Sequence, residues 1–132
     1  MNTDLLLVYG SLLNKDNQFG KYLNENAKFV NSAVFKGRLF DCGDYPGAVA
    51  DKNGYNIKGS LHRLQNATVA LTVLDDYEGF GVEQDQPNLF IRKMMSVTVD
   101  NKSIKCWIYL YNLPVAGLTE ISSGDYIGYL KS

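Results

Sequence analysis

The sequence predicts an α+β domain built on a mostly antiparallel, strongly curved sheet, and three observations support this. Five or six segments carry β-branched and aromatic residues near period two, one or two carry helical periodicity, and no repeat or Pro/Gly/Ser-rich linker divides the chain. With 132 residues, 45% of them hydrophobic, the chain fits one compact domain over 1–132 that buries roughly two-thirds of its unfolded surface.

The apolar run Leu5 to Val8 reads as a buried strand, and Tyr9-Gly10-Ser11-Leu12 as the tight turn at its end. Gly10 lets backbone approach a ligand, and the turn's amides can point outward as donors. Asn14 is placed to cap a short helix over roughly Lys15 to Asn24, with Phe19, Tyr22 and Leu23 at helical spacing. Phe29 to Phe40 and Tyr55 to Leu64 read as strands, with Asp44-Tyr45-Pro46-Gly47 as a turn between them. Ile91 to Val99 and Ile104 to Tyr111 read as a hairpin joined by the polar Asp100 to Ser103. In the last strand, alternation puts Ile104, Cys106, Ile108 and Leu110 on one face and Trp107, Tyr109 and Tyr111 on the other. If both faces are covered, that strand is central, and its tyrosines read first as packing groups.

Composition narrows the function classes. No stretch approaches 18 apolar residues and no basic-plus-apolar leader opens the chain, so a soluble, cytoplasmic protein is expected. A net charge of −1 gives no attraction for nucleic acid or an anionic membrane, which leaves a small molecule as the expected partner. Cys42, Cys106 and the single His62 do not make a disulfide framework or a metal site, so no metal is expected. No heptad or exposed apolar stripe marks an interface, and a monomer is the default expectation.

Asn66 to Gly79 carries the most chemistry, reading as a helix capped by Asn66 and stopped by Gly79. At about 100° per residue, Ala67, Ala70, Leu71 and Leu74 form one apolar arc. Glu78 projects into the middle of it, Asp75 falls on its flank and Asp76 lies nearly opposite; both aspartates are expected to be solvated. Burial and the negative end of the helix both disfavour a carboxylate at Glu78, raising its pKa toward the range that suits a general acid/base. If the helix ends a residue early, Glu78 is instead a surface charge.

Two segments, Tyr9 to Leu12 after the first strand and Leu74-Asp75-Asp76-Tyr77-Glu78-Gly79 at a helix end, resemble the signatures of the γ-glutamylcyclotransferase-like family, also called AIG2-like. Gly37 to Phe40, Asp44 to Ala48, Lys58 to Leu61, Phe90 to Arg92, Trp107 to Tyr111 and Ser123 to Tyr126 resemble it in the same order. The resemblance implies a small curved or barrel-like sheet flanked by helices, with a cavity between the first strand's loop and the glutamate-bearing helix. It further implies cofactor-independent conversion of a γ-glutamyl amine or amino acid to 5-oxoproline. Glu78 would be the catalytic residue, and Tyr9, Gly10, Ser11 and Leu12 the substrate-binding loop. Tyr126, in its Ser-Gly-Asp-Tyr setting, is a further binding candidate.

Rival readings are weaker on chemical grounds. Ser11 as a nucleophile lacks an adjacent base and a Gly-x-Ser-x-Gly elbow, and His62 sits within a strand as a structural or surface histidine. Arg38 and Arg92 read as partners of acidic side chains before partners of a substrate carboxylate. The loop Phe80 to Asp85 is placed to line the pocket entrance. A non-catalytic module that binds a small ligand or a protein on the same fold is the alternative function.

Overall fold

The computed structural model describes residues 3–10, 18–43 and 45–131, with Gln18 and Phe19 described by backbone alone. Strands β1 (Leu5–Val8), β2 (Ala27–Asp41), β3 (Pro46–Ala50), β4 (Tyr55–Leu64), β5 (Phe90–Val99), β6 (Lys102–Tyr111) and β7 (Thr119–Glu120) accompany helices α1 (Gln18–Asn26), α2 (Ala67–Glu78) and α3 (Tyr126–Lys131). The sheet runs in the order β3-β2-β4-β1-β6-β5, and a further pairing of β2 with β5 through Val34 and Thr98 closes a five-strand ring. All pairings are antiparallel except β1 with β6, at Leu6 and Trp107. The predicted α+β, barrel-like architecture is the one observed.

Both faces of the ring are packed. One apolar cluster takes side chains from every ring strand, among them Leu7, Phe35, Leu61, Val97 and Ile108, and fills the barrel interior. The other sets Leu6, Val8 and Tyr109 against Leu23 of α1 and Ala70, Leu71 and Leu74 of α2. Strand β1 shows why its sequence is a continuous apolar run: alternate residues face different cores, and both are occupied. The same division splits β6 along the predicted faces, Cys106, Ile108 and Leu110 entering the barrel while Tyr109 faces the helices.

Local chemistry sets the joints. Val99 pairs with Lys102, which leaves Asp100 and Asn101 as a two-residue loop at φ 50° and 67°, the left-handed pair that matches hairpin twist. Asn66 caps α2, its side chain accepting from the Val69 N–H at 3.4 Å, and Gly79 ends the helix at φ 72°.

Several expectations need correcting. Pro46 and Gly47 are not a turn: they open β3 and pair with Asp41 and Phe40 of β2. Pro46 is the first residue of an edge strand, where its missing N–H breaks no ladder bond. Three helices and seven strands are described, against one or two and five or six expected; β3, β7 and α3 are the additions. Helix α1 runs two residues further than the predicted Asn24, and its expected cap, Asn14, lies outside the described residues, as does Asp44. Both cysteines are unpaired. His62 is half-buried on β4 with its ring edge-on to Phe29, and burial depresses its pKa.

Candidate active site

A cavity of about 180 Å³ opens where the end of β1 meets the C-terminal turn of α2. Its wall combines Tyr9 and Gly10 after β1, Tyr45 and Pro46 at the start of β3, Tyr77 and Glu78 of α2, and Tyr109 of β6, with Leu89 and Phe90 closing one side. Glu78 reaches it because of helical phase. Leu71 and Leu74 are buried beneath α2 at 8% and 0% exposure, and Glu78 follows Leu74 by one turn on the same arc. The left-handed Gly79 stops the helix there, with the Phe80 N–H bonded back to the Asp75 carbonyl at 2.9 Å.

The Glu78 carboxyl lies in a wall that is mostly hydrocarbon and aromatic ring, and among the described residues no side chain donates a hydrogen bond or forms an ion pair with it. Burial pushes its pKa up to about 7. An unpaired carboxyl in such a wall cannot recover its hydration energy, so the proton is retained to near neutrality.

Tyr9 and Gly10 are both brought to the cavity, but the Tyr9 hydroxyl is already engaged. It donates to the Tyr109 carbonyl at 2.6 Å and accepts from the Ala48 N–H at 3.2 Å. Its ring is therefore a fixed wall that stitches β1 to β6 and β3, and burial together with the nearby Glu78 charge raises its pKa. Gly10 is required by contact, since a Cβ there would collide with the Pro46 ring. Ser11 and Leu12 lie outside the described residues. Tyr126 is not in the wall: it begins α3 and packs, 7% exposed, with the barrel-interior cluster. The stretch after α2 contributes Leu89 and Phe90, whereas Phe80 to Asp85 are absent from the wall. Asn88 shapes that loop by accepting from the Gly81 N–H and donating to the Gly81 and Asp85 carbonyls.

Asp75 departs from its expected solvation. Its carboxylate takes Arg92 Nε at 2.7 Å and Nη2 at 3.1 Å, and accepts the Tyr109 hydroxyl at 2.6 Å. The flank of α2 faces β5 and β6, which helical phase alone does not reveal. Asp76 is exposed as predicted, accepting from Gln84 Nε2 at 2.8 Å. Arg38, like Arg92, forms an ion pair inside the protein, with Glu120. Tyr109 is the site residue that sequence reasoning assigned only to packing; its signal was the aromatic face of the last strand, which meets the glutamate-bearing helix.

Comparison with known proteins shows the family and the fold. The family described as γ-glutamyl cyclotransferase, AIG2-like, matches residues 6–128. The γ-glutamylcyclotransferase family protein YtfP of Escherichia coli strain K12 is 32% identical over 123 residues, covering 92% of this chain and 95% of YtfP. The solution structure of Escherichia coli YtfP aligns with a TM-score of 0.66 at 29% identity, covering 95% of this chain and 97% of that one. A crystal structure of an AIG2-like protein from Mus musculus shares the fold, with a TM-score of 0.64 at 20% identity over 86% of this chain and 82% of its own. A match over nearly the whole chain, together with YtfP-like identity and fold, makes this protein a member of the γ-glutamyl cyclotransferase, AIG2-like family.

Proposed function

We propose that the protein closes a γ-glutamyl amine or γ-glutamyl amino acid to 5-oxoproline and releases the free amine, with Glu78 as the general acid/base. The observation that carries this reading is a carboxyl without a side-chain partner among the described residues, in a mostly apolar wall, its pKa raised by burial to about 7. Family membership supports a cyclotransferase function in general; the γ-glutamyl substrate class follows from the family resemblance, and the role given to Glu78 is argued from its burial in the cavity wall.

The substrate's α-amine is mostly protonated at pH 7 and must lose a proton before it attacks. Glu78, ionised, takes that proton, and the amine nitrogen then bonds to the γ-carbonyl carbon, leaving an oxyanion. The loaded carboxyl protonates the leaving nitrogen and, ionised again, accepts the surplus proton of the ring nitrogen. The oxyanion collapses, the old C–N bond breaks, and the amine departs with that last proton. A pKa near 7 suits both directions of transfer. Nucleophile and electrophile belong to one molecule, so the wall of Tyr9, Gly10, Tyr45 and Tyr109 has to fold the substrate more than join two reactants. Ser11 and Leu12 complete this reading as the rest of the binding loop.

Incubation with a panel of γ-glutamyl amines and amino acids should release 5-oxoproline. Glu78→Gln should lower kcat by roughly 10³-fold, as expected for loss of a general acid/base, while the circular dichroism spectrum is unchanged. A wild-type protein silent across the panel, with ligand binding indifferent to Glu78→Gln, would overturn the reading in favour of a non-catalytic binding module.

A further inference from the structure

Tyr109 has one hydroxyl proton, and the structure commits it. The hydroxyl donates to Asp75 Oδ1 at 2.6 Å, so its lone pairs are what a phenol in that state still offers. Asp75 cannot readily release the bond, because Arg92 holds the carboxylate through two contacts and leaves only 18% and 19% of the paired side chains exposed. Arg92 is fixed in turn, its guanidinium 4.3 Å from the centre of the Trp107 ring. The other end of Tyr109 is also held, its carbonyl accepting the Tyr9 hydroxyl at 2.6 Å.

Tyr109 lines the cavity and is 4% exposed. Glu78 lies in the same wall and raises the Tyr109 pKa by its charge, behind the larger effects of burial and Asp75. An acceptor oxygen that feels the Glu78 charge is a poor partner for an oxyanion or a substrate carboxylate. It is a good partner for a group rich in N–H and positive charge.

We propose that the Tyr109 hydroxyl oxygen recognises the α-ammonium of the γ-glutamyl group, and that Asp75, held by Arg92, is the positioning residue that keeps this oxygen an acceptor. The inference rests on the cyclotransferase reading and assigns its substrate's ammonium end. Asp75 thus serves the site without touching substrate, and its place three residues before Glu78 lets one contact set both the tyrosine and the turn that carries the glutamate.

Calorimetry in a Glu78→Gln background, where turnover is suppressed, tests this with two probes: γ-glutamylmethylamide and the monomethylamide of glutaric acid, which differs only by lacking the α-ammonium. The Glu78→Gln protein should prefer the first. Adding Tyr109→Phe should cut that preference at least tenfold while affinity for the glutaric probe stays within twofold, which doubles as the check that the pocket is intact. Asp75→Asn, a weaker acceptor of the same size, should move the preference in the same direction by a smaller factor. An unchanged preference after Tyr109→Phe overturns the inference, as does an equal loss for both probes, which would make Tyr109 only a wall. 5-Oxoproline release by the wild-type protein separates the two ideas: release with an unchanged preference sinks only the role of Tyr109, whereas no release and no preference sinks the cyclotransferase reading as well.

Discussion

Two clusters in this molecule share one chemical recipe and differ in place. Where β2 meets β7, Arg38 donates to Glu120 from Nε at 3.1 Å and Nη2 at 2.7 Å; Glu120 also accepts the Tyr55 hydroxyl at 2.9 Å, and the guanidinium lies 5.2 Å from the Phe40 ring centre. Beside the cavity, Arg92, Asp75, Tyr109 and Trp107 repeat the pattern. The Arg38 and Glu120 side chains are 44% and 32% exposed, those of Arg92 and Asp75 18% and 19%. Water decides what the recipe does. At the exposed site, solvent shares each charge and the cluster mainly pins a two-residue strand. At the shielded site neither charge has much water to fall back on, so each partner depends on the others.

Breaking both pairs in parallel tests whether burial is the deciding variable. Arg92→Met should have the largest effect on stability, roughly 2–4 kcal/mol, because it leaves the Asp75 carboxylate half-buried without its countercharge; a urea-unfolding midpoint measures it. A loss no greater than that of Arg38→Met would break the comparison.

Glu78→Gln sharpens it from the other side, by removing a carboxyl that has no side-chain partner among the described residues. The folded protein binds the Glu78 proton more tightly than the unfolded chain, its pKa rising from 4.5 to about 7. Wild-type stability should therefore fall as pH rises from about 4.5 to about 7 and stay at the lower level above that window. Glu78→Gln escapes this loss. It should be more stable than wild type at pH 8 by up to about 3 kcal/mol, with the two proteins converging below pH 4.5. Parallel unfolding curves at pH 4 and pH 8 decide it, and an equal difference at both would show that ionisation is not the cause.

The same ionisation should appear in kinetics: kcat/KM should rise about tenfold per pH unit below about 7 and level off above it, as a base of that pKa requires. The smallest effect belongs to Arg38→Met, which should leave the thermal midpoint within measurement error, since exposed pairs contribute little.

What the sequence made legible follows from how local each cause is. Helix α2 was readable from Asn66 to Gly79, because capping and left-handed termination are decided within a few residues. The direction of Glu78 followed from its spacing to Leu74 and Leu71. The hairpin at Asp100 was readable for the same reason. Strand β3 was hidden because Pro46 and Gly47 are turn formers by local preference, while pairing with Asp41 and Phe40 depends on residues several positions away. Gly47 earns its place only in three dimensions, since a Cβ there would press on Tyr111 and Cys42 at 2.8 and 2.9 Å. Helix α3 has six residues, too few for a period to show. Asp75 looked solvated because a helical wheel gives the direction of the core but not that Arg92 and Tyr109 stand beside its flank. Tyr126 was singled out by motif, and its side chain went to the barrel interior.

The parallel seam between β1 and β6 has a kinetic consequence. It joins Leu6 to Trp107, and beside it Tyr9 reaches the Tyr109 carbonyl across 100 positions of sequence. The cavity cannot be assembled by any local segment: a nascent chain that has made β1, α2 and their loops still lacks the carbonyl that anchors Tyr9 and the tyrosine that anchors Asp75. Loop-closure entropy must be overcome before these contacts give anything back, which places the domain among slower-folding topologies. Until β6 docks, Leu6 and Val8 have one neighbour strand too few, and the site stays incomplete.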